Sequence, residues 1–255
     1  TSYTLSSKAF FGWRGKENKP NQTGLSRKHL TEACNEALQR LQTDYLDLYF
    51  CHRPDKNTPI EEVVLTMNHL IQQGKILYWG TSEWSGVELM EAHRVAQHYR
   101  LIGPSMEQPQ YNLFERNKVE NDYLEVFKNV GLGTTIWSPL AAGLLTGKYN
   151  NGIPEGSRLA IEGFDWLKER WIMQDKIEKV QQLQSLANEL GCSLPALSIA
   201  WCIKNPNVTT AILGATKKEQ LIDNLTALKA VELLTSEVIS KIEAIMQNKP
   251  VLAEY

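Results

Sequence analysis

Two groups able to handle a proton stand at the ends of apolar runs. His52 closes residues 45–55, YLDLYFCHRPD, in which Tyr45, Leu46, Leu48, Tyr49 and Phe50 read as a buried strand. Pro54 stops that strand, because proline has no N–H to give a central ladder. His52 therefore sits where a strand gives way to a loop, and histidine is the side chain whose unperturbed pKa is nearest neutrality. A purely structural histidine at a strand end is the alternative. Lys8 ends the first apolar run, TSYTLSSKAF. A buried lysine must be paired or deprotonated, unless the strand ends sooner and leaves it in solvent. On neighbouring strands, Lys8 and His52 would be two proton-handling groups in one pocket.

Other residues offer binding rather than proton chemistry. Trp137 follows a β-like run, where a large flat ring either stacks a planar ligand or packs in the core. Ser82 and Gln108 bring a hydroxyl and an amide to strand ends. Residues 216–224, TKKEQLIDN, open a helix with a capping box, Thr216 to Glu219. Lys217 and Lys218 then lie at the positive end of the helix dipole, which favours a docked anion such as phosphate. Two solvated lysines are the alternative there.

The bulk properties narrow the classes. With 255 residues, 42% hydrophobic and 22% charged, the chain can bury one barrel-sized core or two small ones. A net charge of −2 gives no electrostatic case for nucleic acid. No apolar run approaches the ~20 residues of a membrane span, and no signal-peptide pattern opens the chain. Cys34, Cys51, Cys192 and Cys202 show no zinc or CxxC spacing. They read as free thiols in a reducing, cytoplasmic setting, although an even number leaves a pair open.

Strand and helix patterns alternate. Ser26 caps a helix carrying Leu30, Ala33, Ala37, Leu38 and Leu41; Thr58 to Glu61 and Ser85 to Glu88 read as capping boxes for the next two. Strands are expected at 45–51, 76–80, 105–111, 133–138 and 208–215, besides the first. Helices are expected at about 119–130, 177–190, 196–203, up to Leu228, and 236–246; 149–174 reads as a long connection. Six such units call for a parallel sheet covered by helices. No GxGxxG or GxxxxGK[ST] is present, which argues against a Rossmann or P-loop site. The expected strand ends are all polar or glycine: Lys8, His52, Ser82, Gln108, Trp137-Ser138 and 214–216. That favours the eight-fold (β/α)8 barrel, whose chemistry lies at that end of its strands. Six strands are two short of eight, and the chain opens in a strand without Met, so two βα units are expected to precede Thr1.

At this point the motifs carry a resemblance. LSSKAFFG, LSRKHLTEA, LQTDYLDLYFCHRPD, TPIEEV, ILYWGTSEWS, EQPQYNLFER, WSPLAAGLLTGKY, GIPEGSR and ILGATKKEQLIDN run in order through the chain. Together they resemble the aldo-keto reductase superfamily, in the branch of the voltage-gated potassium-channel β subunits and their reductase relatives. The resemblance implies one barrel domain over 1–255, NADPH/NADP+ bound without a Rossmann motif, and hydride transfer to a small-molecule aldehyde or ketone.

Site residues follow from the same resemblance. Lys8 matches the family's catalytic lysine and His52 a histidine that orients the carbonyl. The family's tyrosine proton donor and its aspartate belong to a part preceding the third strand, so no residue here is assigned to either. Trp137 matches the ring on the nicotinamide, and Ser82 and Gln108 the groups that hold its carboxamide. Ser138, Leu140, Ala142, Gly143 and Lys148 match a phosphate-approaching loop, with Arg158 a basic residue beyond it. Gly214, Thr216, Gln220, Asp223 and Asn224 match the adenosine-phosphate end. Two positions depart from the pattern. Glu83 replaces a polar or basic residue, and Gln220 stands where many relatives have an arginine for the 2′-phosphate, leaving Lys217 and Lys218 to supply that charge. Channel β subunits of animals usually carry asparagine at the position of His52, so the resemblance favours a working reductase over a channel-docking subunit. Metal has no part in the implied chemistry; a homo-oligomer is compatible with it.

Overall fold

In a computed structural model, residues 2–252 are described, so Thr1, the first residue of the expected opening strand, lies outside them, as do 253–255 of the expected domain. The chain divides into two compact units. One runs to Pro109 and resumes over Asp122–Thr134; the other holds Gln110–Asn121 and continues from Thr135.

The first unit is a parallel sheet built by crossover helices. Strand β1 (Ser6–Ala9) leads through a polar loop to helix α1 (Arg27–Leu41), which buries His29, Leu30, Cys34 and Ala37 on one face. Ser26 caps it by accepting the His29 N–H, as its place in the sequence predicts. Strand β2 (Leu46–Cys51), helix α2 (Ile60–Gln72), strand β3 (Ile76–Thr81), helix α3 (Gly86–Tyr99) and the two-residue strand β4 (Met106–Glu107) follow. Helix α4 (Leu124–Val130) then leads into strand β5 (Gly133–Ile136), whose first two residues pair with β4. Every pairing is parallel, and the order is that of the sequence.

Register is the fact that matters most here. Lys8 lies opposite Phe50, Phe50 opposite Gly80, and Gly80 opposite Met106; one residue on, Ala9, Cys51, Thr81 and Glu107 form the next row. Gly80 has a reason of its own. A Cβ there would lie 2.4 Å from the Met106 carbonyl oxygen, so only glycine lets β3 and β4 meet.

Several capping expectations change. The Ser85 box forms in full, with Glu88 reaching back to the Ser85 N–H. The Thr58 box does not: Pro59 stands at the cap, and the Thr58 hydroxyl donates instead to Asp55 at 2.8 Å. The expected strand 105–111 shrinks to its two residues: the Gln108 N–H still reaches the Thr81 carbonyl, but Pro109, which follows, has no N–H to carry the ladder on. The helix expected over 119–130 starts as a wide π-type turn at Lys118–Asp122 and becomes α-helical only at Leu124.

The second unit is mostly helical. Its strands are the last two residues of β5 and the two-residue β6 (Thr210–Ala211), again parallel. Helix α5 (Asp165–Trp171) lies inside what the sequence reads as one long connection, and its Leu167 and Trp171 are buried. Helices α6 (Gln174–Glu189) and α7 (Leu194–Lys204) follow, and α7 is buried on nearly every side. Then come α8 (Lys218–Leu225), α9 (Ala227–Ala230) and α10 (Ser236–Met246). The last strand, expected over 208–215, stops at Ala211, so Gly214 and Thr216 lie in an exposed loop rather than at a strand end. An ion cluster braces this unit: the buried Arg116 pairs with both Glu120 and Glu243, at 2.8 and 2.7 Å.

Cys34, Cys51, Cys192 and Cys202 are all unpaired, and Cys192 alone is not buried. No single helix among the described residues is long and apolar enough to cross a membrane.

Replacing Gly80 by alanine should lower the unfolding free energy by ~1–3 kcal/mol, because the added methyl meets backbone rather than a flexible side chain. Urea denaturation of Gly80→Ala reads this directly, and an unchanged midpoint would show that β3 and β4 separate at no cost.

Candidate functional site

In the first unit the register carries four of the expected residues to one end of the sheet. His52, Ser82 and Gln108 each follow a strand directly. Their N–H groups donate to Ala9, Cys51 and Thr81 carbonyls at 3.0, 2.9 and 2.8 Å, extending the ladder one step beyond the strands. Lys8 is the penultimate residue of β1 and half-buried, with its ammonium 5.8 Å from the Phe50 ring centroid. The solvent-exposed alternative for Lys8 is thus set aside.

The side chains at this end are held. Ser82 and Gln108 are buried. The Ser82 hydroxyl donates to the Gln108 carbonyl at 2.9 Å and accepts from Arg53 at 3.3 Å. Its proton is thereby committed, and one lone pair is left for a ligand N–H. His52 stacks edge-on against Phe11, with ring centroids 5.1 Å apart. Below this end, the fully buried Glu107 accepts from Thr81 and from Tyr123, whose hydroxyl also reaches the Trp84 carbonyl.

Electrostatics at this end favour neutral forms. Burial pushes the His52 imidazole down to about 4, helped by the positive charges of Arg53 and Lys8. Burial also lowers Lys8 below its ordinary value, with Arg53 adding to the effect. A neutral imidazole can offer one N–H to a carbonyl oxygen. Asp55 anchors the loop after His52. Burial would raise its carboxyl, but hydrogen bonds from Asn57, Leu25 and Thr58 outweigh that and hold it below the usual carboxylate range.

The second unit carries the remaining residues in two places. Trp137 follows β5, half-exposed, and its carbonyl accepts the Tyr111 N–H at 3.3 Å. Ser138, Ala141, Ala142 and Gly143 all have positive φ, at 57°, 48°, 55° and 95°. Left-handed backbone at non-glycine residues costs of order 1–3 kcal/mol each and tends to mark ligand-clamping loops. Two side chains stabilise the turn: the Ser138 hydroxyl accepts the Ala142 N–H at 3.1 Å, and Asn112 donates to the Ser138 carbonyl at 2.9 Å. A Cβ on Gly143 would lie 2.9 Å from the Lys148 ammonium, so Lys148 sits across the loop from it. Leu140 belongs to the same turn. Arg158 instead stacks over Phe164 at 5.8 Å.

The second place is the start of α8. Only half of a capping box forms, one residue later than expected: Lys217 stands at the cap without a side-chain cap bond, and Gln220 reaches back in place of Glu219. The Gln220 side-chain oxygen accepts from the Thr216 and Lys217 N–H groups at 2.9 and 3.3 Å. Of the two lysines, only Lys218 therefore lies in the first turn, and Gln220 spends its oxygen on the cap. Asp223 accepts from the Ser193 hydroxyl at 2.9 Å, and Asn224 is buried.

Two residues escaped the sequence reading. Arg53 sits in a run of polar residues where no periodicity separates it from its neighbours. Asn112 lies in the QYNLFER motif, but nothing in its spacing marks it as the support of the Ser138 turn.

The His52 pKa has a consequence for stability. Between pH 6.5 and about 4 the unfolded chain takes up a proton that the folded imidazole refuses. The contribution is therefore fully present above pH 6.5 and is lost as pH falls toward 4. Denaturation midpoints at about pH 7 and about pH 5 should differ more for the wild type than for His52→Asn; equal differences would place the titrating group elsewhere.

Comparison with known proteins bears on what this arrangement is. The Aldo/keto reductase family profile matches residues 1–247. A protein of Oryza sativa subsp. japonica named "Probable voltage-gated potassium channel subunit beta" is 51% identical over 247 residues, covering 96% of this chain and 74% of the relative. Its namesake in Arabidopsis thaliana is 49% identical over the same length and shares. A match over nearly the whole chain, in motif order and at half identity, makes the chain a member of the aldo/keto reductase family.

Proposed function

We propose that this protein reduces aldehydes or ketones to alcohols with NADPH, and that residues 1–255 belong to one aldo-keto reductase barrel domain. The observation that supports this best is the row His52, Ser82 and Gln108 at consecutive strand ends, with Lys8 one residue back on the neighbouring strand. The residues present fit a nicotinamide cofactor. Ser82 keeps an acceptor lone pair, which suits a carboxamide NH2, and the left-handed turn at Ser138–Gly143 presents backbone of the kind that clamps phosphates.

When bound, NADPH would supply the hydride. Ser82 and Gln108 would hold its carboxamide, and Trp137 would offer a ring face to the nicotinamide. Ser138, Leu140, Ala142, Gly143, Lys148 and Arg158 would serve its phosphates. Gly214, Thr216, Gln220, Asp223 and Asn224 would serve the adenosine end. Neutral His52 would donate its N–H to the substrate oxygen, and Lys8, less basic than a free lysine, would tune the proton delivered there. The proton donor itself has no assignment among these residues. The charge for a 2′-phosphate falls to Lys217 and Lys218, since Gln220 is occupied in capping.

A second reading is a cofactor-binding subunit of a potassium channel with little turnover. It draws on the names of the two plant relatives. Co-purification with a channel cytoplasmic domain, without carbonyl reduction, would favour it; His52, where asparagine would be expected of such a subunit in animals, favours the reductase.

Fluorescence titration with NADPH, followed by an aldehyde-reduction assay, tests the proposal. Binding and turnover are the expected results, and a protein that binds no nicotinamide cofactor ends the reading. Replacement His52→Ala should lower kcat/KM by roughly 10²-fold. An unchanged value would take His52 out of the chemistry.

A further inference from the structure

Arg53 follows His52 and fills no role in the assignments above, yet it reaches the His52 backbone, the Ser82 hydroxyl and the Phe11 ring at this end of the first unit. One nitrogen, Nη1, donates to the His52 carbonyl at 2.6 Å and to the Ser82 hydroxyl at 3.3 Å. The guanidinium carbon lies 5.7 Å from the Phe11 ring centroid, and that ring is the one packed edge-on against His52. Among the described residues no carboxylate forms an ion pair with Arg53, although the side chain is half-buried. A half-buried charge without a counter-charge is costly. Such a charge is retained most readily where its field acts on neighbours, and the neighbours here are His52 and Lys8.

We propose that Arg53 is a positioning residue of this site: it clamps the His52 backbone to the Ser82 hydroxyl and places an uncompensated positive charge beside His52 and Lys8. This deepens the reductase reading and rests on it for the identity of the ligand. Each part has its own consequence. With Arg53 donating to it and Gln108 receiving its proton, the Ser82 hydroxyl meets a ligand only as an acceptor. The charge, together with Lys8, opposes protonation of His52 and keeps one imidazole nitrogen free of its proton over the neutral range. Arginine suits both tasks because the two hydrogens of one terminal nitrogen, fixed in the guanidinium plane, can each meet one oxygen while the group remains charged at any working pH. The charged groups bearing on His52 are Arg53, from its own loop, and Lys8, from β1.

The test separates the two tasks on the whole protein. Histidine C2–H signals are followed by NMR against pH, with the His52 signal assigned by its loss in His52→Asn. The wild-type midpoint should lie near 4. Arg53→Gln should raise it by roughly one pH unit, and Arg53→Lys, which keeps the charge, should leave it close to wild type. NADPH affinity should fall by roughly 5–10-fold in both variants, because neither side chain reproduces the bridge to Ser82. An unmoved His52 midpoint in folded Arg53→Gln overturns the proposal. Should Arg53→Gln fail to fold, Arg53→Lys decides: wild-type NADPH affinity there removes the clamp. A wild-type protein that binds no NADPH defeats the reductase reading, while the histidine titration still reports on Arg53 by itself.

Discussion

Three backbone hydrogen bonds of one kind organise the candidate chemistry. His52 to Ala9, Ser82 to Cys51 and Gln108 to Thr81 each carry a parallel ladder one residue past the end of its strand. Side chains alternate along a strand, so a slip of one residue between neighbours would turn its functional group to the other face. The register is fixed from beneath by tight packing rather than by the site itself. Gly80 admits Met106, and buried Glu107 gathers hydrogen bonds from Thr81 and Tyr123. What the site requires of the fold is therefore chiefly that these strands not move relative to one another.

That rigidity lets a few charges have a large effect. His52 and Lys8 are each only partly withdrawn from water, yet burial and the neighbouring guanidinium act in the same direction on both. The weakened Lys8 ammonium gives up a proton more readily near neutrality than a free lysine does, whereas His52, pushed down to about 4, stays neutral there and serves as a hydrogen-bond donor rather than a proton carrier. Asp55 contributes from a distance. By taking hydrogen bonds from Leu25, Asn57 and Thr58, it ties the loop bearing Arg53 to the start of α1, so the orientation of Arg53 is set by the scaffold.

Much of this was legible in the sequence because its signals were strong and local. The apolar run before His52 and the stop at Pro54 placed β2 almost to the residue, and the Ser26 and Ser85 caps formed as read. Where the reading failed, a side chain had found a different partner. Thr58 spends its hydroxyl on Asp55 and caps nothing, while Gln220 displaces Glu219 because its amide oxygen reaches two N–H groups. The β-prone residues 208–215 form only two residues of strand, for propensity describes a residue's comfort on a pleated surface and not whether a neighbour is available to pair. Helix α5 was hidden among glycines and prolines that mark the connection around it. Arg53 was invisible for a different reason: its role is defined by what it touches across the sheet, and single-chain periodicity carries no such information.

The left-handed turn from Ser138 to Gly143 has a thermodynamic consequence. Its backbone is already in an unfavourable region, with Asn112 and the Ser138 hydroxyl holding it there. A loop ordered before a ligand arrives loses little conformational entropy on binding, so an anion engaging it would gain affinity from preorganisation more than from the number of contacts. The same geometry restricts what the turn can become. Glycine, asparagine and aspartate tolerate such φ values best and β-branched residues worst, so variation at 141–143 is confined by backbone shape.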